Sequence, residues 1–121
     1  MQGEEGPALL EASLRGQEQF VKLLLDKSAD VDAQGRLYGT ALQVASLKGH
    51  GQIVKQLLDA GADVNAQAKH LSALQAASES GHEQIVRLLL DRGALVDGNA
   101  VQAASAGEHE QIVRLLLEQK V

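Results

Sequence analysis

Four histidines, several paired acids and a ladder of cations are the side chains here whose types could support chemistry. His82-Glu83 and His109-Glu110 open like a zinc hydrolase signature, in which two histidines four positions apart on one helix hold the metal and the glutamate activates water. Both are followed by Gln-Ile-Val, so the second histidine never arrives. Asp30-Val31-Asp32 sets two carboxylates at alternate positions but lacks the glycine and distal glutamate of a calcium loop. Asp63-Val64-Asn65 occupies the same place one segment later, which marks the triplet as hairpin architecture. No glycine-rich phosphate loop occurs, and without cysteine there is neither a disulfide nor a thiolate metal site. His50, His82 and His109 return in one slot of successive segments, so structural repetition accounts for them, and His70 stands alone. The expectation is a chain with no catalytic group, no metal and no cofactor.

A second pattern is electrostatic. Lys22, Lys55, Arg87 and Arg114 share one register, and a continuous basic stripe attracts phosphates. Glu18, Glu83 and Glu110 lie four residues before three of these cations, the favourable order on a helix. Such exposed pairs contribute only about 0.3–0.5 kcal/mol each, so the stripe reads as a solvated, self-neutralised face. The formal net charge of −5 likewise disfavours nucleic acid and anionic lipid.

The elements that position these residues are repeated. The phrase Ala41-Leu42-Gln43-Val44-Ala45-Ser46, then Gly49-His50, Gln52-Ile53-Val54, Leu57-Leu58-Asp59 and Gly61-Ala62-Asp63-Val64-Asn65, returns from Ala73 at a step of 32 residues. A looser copy starts at Ala8, a step of 33 earlier, and a last one at Ala100, a step of 27 later. A period near 33 means stacked supersecondary units that cannot bury their apolar faces singly. The 121 residues therefore divide into four units, approximately 7–39, 40–71, 72–98 and 99–121, of one domain. Apolar residues make up 45% of the chain, with Phe20 and Tyr38 the only aromatics, so aliphatic side chains build the core. The N-terminus has no secretory pattern and no apolar run is long enough to span a bilayer. An intracellular, cytoplasmic location is expected, since a reducing compartment agrees with the absence of cysteine.

Within the second unit Thr40 predicts an N-cap, followed by a helix over 41–48 whose Leu42 and Ala45 face the stack. Gly49 ends it in the left-handed conformation. A second helix over about 51–60 carries Ile53, Val54, Leu57 and Leu58 on one face, and Gly61 ends that one. Residues 62–71 have no helical period and predict a projecting hairpin. Gln43, Gln75 and Gln102 share a register in which a neutral amide bonds to nearby backbone. Tyr38 is the one aromatic expected to reach solvent.

Across nearly the whole chain these residues resemble the ankyrin repeat family. Thr40-Ala41-Leu42-Gln43 and Ser72-Ala73-Leu74-Gln75 stand where that family shows Thr-Pro-Leu-His, while Gly49-His50, Gly81-His82, Gly61-Ala62-Asp63-Val64-Asn65-Ala66 and Gly93-Ala94 match directly. Alanine and glutamine in the tetrapeptide, with Tyr38-Gly39-Thr40 before it, are similar to repeats of fungal proteins at the C-terminal end of large signalling NTPases. The resemblance implies an all-α solenoid of four helix pairs with projecting β-hairpins, the last hairpin shortened. It further implies a non-catalytic protein-interaction module whose hairpin tips and first helices form a concave binding face. By register that face comprises Leu14, Arg15, Arg36, Leu37, Tyr38, Leu47, Lys48, Lys69, His70, Leu71, Glu79 and Ser80. Four cations against one carboxylate suit an acidic or amphipathic protein or peptide, and tyrosine and arginine are enriched at binding hot spots.

The end copies depart from the pattern. Pro7 replaces the capping residue, Leu10 the glutamine and Ser28 the second glycine. Only Gly98 and Asn99 separate Asp97 from Ala100, and Gly107-Glu108 stands where Ser80-Gly81 stood, which predicts a helix ending at Gly107 because glycine tolerates the left-handed region better than glutamate. Neither end carries a polar capping repeat, so end-to-end association is expected, or a place inside a longer signalling protein as its ligand-sensing region. A designed or reassembled repeat protein fits the same residues.

Overall fold

A computed structural model of the protein describes residues 2–27, 29–35, 39–67 and 71–119, with side chains from residue 7 onward. Among the described residues the backbone forms eight helices: α1 (Gln2–Arg15), α2 (Glu18–Asp26), α3 (Ala41–Lys48), α4 (Gly51–Asp59), α5 (Ala73–Ser80), α6 (Glu83–Asp91), α7 (Gly98–Ala106) and α8 (Glu110–Glu118). A short turn folds each second helix back on its first, and four such pairs stack in chain order.

The first helices α1, α3, α5 and α7 approach one another much more closely than α2, α4, α6 and α8 do. Their facing residues explain it. Ala12, Ala41, Ala45, Ala73, Ala77, Ala100 and Ala104 are buried between them, whereas Val21, Ile53, Leu57, Ile85, Leu89, Ile112 and Leu116 hold the second helices apart. Small side chains let backbones close, and branched ones do not. The stack therefore bends with the first helices on its inner side.

Caps follow the chemistry of the end residues. Thr40 forms a capping box, its hydroxyl accepting from the Gln43 amide at 3.2 Å while Thr40 N–H donates to Gln43 Oε1 at 2.9 Å. Ser72 and Asp97 cap α5 and α7 with a single bond each, at 3.1 and 2.9 Å. Gly49 and Gly81 take left-handed φ angles of 82° and 79°. An isolated antiparallel bridge joins Gly35 and Gly39 at the base of the first finger. The finger tips, Arg36-Leu37-Tyr38 and Ala68-Lys69-His70, lie outside the described residues, as does Ser28.

Pro7 stands where the cap would be, yet α1 begins at Gln2 and runs through it, so the helix forgoes the backbone N–H bond that a proline cannot make. Two expectations are corrected. In the fourth unit α7 does stop at Ala106, but Gly107 has an ordinary φ of −85° and Glu108 takes the left-handed one, at 60°. The register of His109 explains this. Its N–H must reach the Ala104 carbonyl, 2.9 Å away, as His50 and His82 reach Ala45 and Ala77, so the residue before the histidine has to turn left-handed whatever its side chain. Lastly, Phe20 is 57% exposed, against the expectation that Tyr38 is the one aromatic to reach solvent; Tyr38 itself lies outside the described residues.

Candidate functional site

The repeating junction comes first, because it aligns the inner face. His50 Nε2 lies 3.2 Å from the Leu14 carbonyl oxygen, His82 Nε2 3.0 Å from that of Leu47 and His109 Nε2 3.1 Å from that of Glu79. A carbonyl can only accept, so Nε2 carries the donated proton in each case. Each ring also lies over the left-handed glycine of the preceding unit. A methyl group on Gly49 would meet His82 Cε1 at 2.7 Å, and one on Gly81 would meet His109 Cε1 at 2.5 Å. These histidines are rivets between repeats. Glu108 holds the glycine's place in the fourth unit.

Along the finger bases a second ladder runs. Asp63 N–H donates to Asp32 Oδ1 at 2.9 Å, and Asn65 bridges to the next unit by accepting from Leu95 N–H at 2.8 Å and donating to the Gly93 carbonyl at 3.2 Å. Asp30-Val31-Asp32 and its counterpart are thus architectural. Among the described residues no cluster of three or more metal-ligating side chains is found.

On the outer helices Arg87 pairs with Glu83 at 2.9 Å and Arg114 with Glu110 at 2.7 Å, as their spacing predicts. Lys55 instead approaches Asp59 at 3.9 Å, and Arg92 reaches the same carboxylate at 2.7 Å. The hydrogen bond from the Arg92 guanidinium holds the Asp59 carboxyl below its ordinary pKa, its charge and that of Lys55 adding to the effect.

The inner face carries the residues assigned by register, and the last turn of each first helix shows a gradient. The pairs are Leu14-Arg15, Leu47-Lys48, Glu79-Ser80 and Ala106-Gly107. Leu14, Leu47 and Leu71 are half-buried, and Arg15, Lys48, Glu79 and Ser80 are exposed. Arg15 is shared with Glu11 at 2.5 Å, whereas Lys48 has no ion pair among the described residues. Arg36, Leu37, Tyr38, Lys69 and His70 lie outside the described residues. From the first repeat to the fourth the positions shrink and change from basic to acidic to neutral.

Between α5 and α7 this tapering opens a groove of about 500 Å³. Gln75, Glu79, Asn99 and Gln102 are its polar lining, over Ala103, Ala106 and Gly107. The shared reading of the three register glutamines is corrected here. Gln43 is engaged with Thr40 and also donates to the Leu71 carbonyl of the following finger. Gln75 and Gln102 make no side-chain hydrogen bond among the described residues, and the finger that follows Gln75 is reduced to a short turn. Gly98, the register counterpart of Leu71, lies in the first turn of α7, where its carbonyl belongs to the helix. Only the shortened finger before Gly98 could have signalled in the sequence that the Gln75 amide is released.

Comparison with known families gives two matches. A model described as ankyrin repeats in three copies matches residues 2–68, and one described as an ankyrin repeat matches residues 69–102. No curated protein matches the chain. Among the described residues no helix is long and apolar enough to cross a membrane.

Proposed function

Since the chain belongs to the ankyrin repeat family, whose members are in general non-catalytic protein-binding modules, we propose that it binds a protein or peptide on the inner face of the stack. The N-terminal half of that face is the contact for an acidic or amphipathic surface. The observation that carries this reading is the pairing of a half-buried leucine with an exposed cation in the last turns of α1 and α3, Leu14 with Arg15 and Leu47 with Lys48. Against a molecule of net charge −5, such a local cluster steers acidic partners and rejects basic ones. Arg36, Leu37, Tyr38, Lys69, His70 and Leu71 of the fingers extend the same surface by register, and Glu79 and Ser80 border it. An intracellular setting suits a cysteine-free chain of this kind.

The experiment is selection of binders from a phage-displayed random dodecapeptide library. Selected peptides should carry Asp or Glu beside apolar residues and lose at least tenfold in affinity on combined reversal of Arg36, Lys48 and Lys69 to glutamate. Binding that ignores this reversal and its salt dependence overturns the assignment of this half of the face.

A second reading is favoured by the ends of the stack. Phe20 is 57% and Leu23 52% exposed at one end, and Leu117 is 49% exposed at the other. Ile53, Ile85 and Ile112, the counterparts of Phe20, are all buried. We infer weak end-to-end association through these faces, with concentration-dependent mass in light scattering that Phe20→Glu abolishes. A single monomer mass at all concentrations would exclude it.

A further inference from the structure

The groove between α5 and α7 differs in chemistry from the rest of the inner face. Its carboxylate, Glu79, has no ion pair among the described residues, and neither α5 nor α7 contains a lysine or arginine. Lys48 at the end of α3, one repeat earlier, is the cation on a neighbouring first helix, and Glu79 makes no ion pair with it, so toward α7 the exposed carboxylate is a point of negative potential. Around it stand the Gln75, Asn99 and Gln102 side chains, with no intramolecular hydrogen bond among the described residues. Each primary amide offers two N–H donors and a carbonyl acceptor, which is the complement of a peptide unit. The floor of alanine and glycine leaves room for a main chain to come close.

We propose that this groove is a subsite for an extended peptide segment bearing a lysine or arginine, with its backbone held by the Gln75, Asn99 and Gln102 amides and its cation by Glu79. It rests on the inner-face reading above and adds the partner's polarity to it. Neighbouring helix axes lie about 8–10 Å apart and an extended chain advances about 3.3 Å per residue. A segment crossing from α5 to α7 therefore meets Gln75 and Gln102 about three residues apart. Acidic residues toward the first two repeats and a cation toward the last two give the bound chain a single direction. Phosphate-bearing ligands are disfavoured, since Glu79 repels them.

The same dodecapeptide selection tests the subsite. Gln75→Ala with Gln102→Ala should weaken selected peptides at least tenfold without shifting the melting temperature, since neither amide holds the fold together. Glu79→Gln should weaken lysine- or arginine-bearing peptides severalfold yet leave their norleucine-substituted versions unchanged. Peptides that bind the amide and Glu79 variants as tightly as the native protein, but are lost on Lys48→Glu, overturn this subsite and leave the inner-face reading standing. Peptides indifferent to every one of these changes, or a library yielding no binders, overturn both.

Discussion

The junction between the second and third repeats and that between the third and fourth are assembled from the same parts and held very differently. In the former, Gln43 is tied to Leu71, His82 to Leu47, Asn65 to Gly93 and Leu95, and Asp59 to Arg92. In the latter the histidine link from His109 to Glu79 remains, over helix packing. Asp97, the counterpart of Asn65, has turned to cap α7, and Gln119 stands where Arg92 would. A finger is thus a lock between neighbours as well as a projection. Where it is deleted, the side chains it engaged are released to the inner face.

The sharpest way to break this comparison is at the shared histidine link. Gly81→Ala combines a left-handed backbone with a contact of 2.5 Å to the His109 ring, and should cost about 2–4 kcal/mol in urea unfolding. A loss below about 1 kcal/mol would show that the ring moves aside freely. Next comes the glutamine register. Gln43→Ala should cost about 1–3 kcal/mol by leaving buried backbone groups unpaired, while Gln75→Ala should stay within about 0.5 kcal/mol. Equal losses would mean that the finger does not lock the repeat.

A smaller and opposite effect is expected at Glu108→Gly, which relieves the φ of 60° and should stabilise the protein by about 0.5–1 kcal/mol. Gly107→Ala should still destabilise more than Glu108→Ala, though for a different cause than its backbone angle. A methyl group there meets the His109 ring at 2.6 Å and the Glu79 carbonyl at 3.2 Å. The smallest effect concerns Asp59. Its carboxyl pKa is lowered in the folded state, so its contribution to stability is present above the unfolded carboxyl value of about 4 and is lost as pH falls through the depressed one. Arg92→Ala should raise the Asp59 titration midpoint in a carbon-detected NMR titration, and an unmoved midpoint would remove the interaction.

Helices, turns and their order were legible because they depend on neighbours in sequence. The 3,4 spacing of Ile53, Val54, Leu57 and Leu58 and the glycines at 49 and 81 are local signals that packing reinforces. What escaped depends on distant partners. Glu108 turns left-handed because His109 must reach Ala104, against the local preference of glutamate. Gln75 is released by a finger that is shortened rather than by any residue present. Phe20 has the same helix-face pattern as Ile53, and only the absence of a repeat beside it among the described residues leaves it open. The shared register of Leu14-Arg15 and Leu47-Lys48 can be read from the repeat alone, while the amide-lined groove between α5 and α7 required the geometry of α7.

The rivets of histidine over glycine also bear on how the molecule breathes. Any repeat that opens must first withdraw a ring from its neighbour, so local unfolding in the middle drags adjoining helices with it. Among the described residues α7 and α8 are riveted through His109 to the third repeat, and Glu108 holds backbone strain there. Transient fraying should start in that pair, which is also where the proposed cation-binding groove lies, so an occupant would quieten the most restless part of the stack.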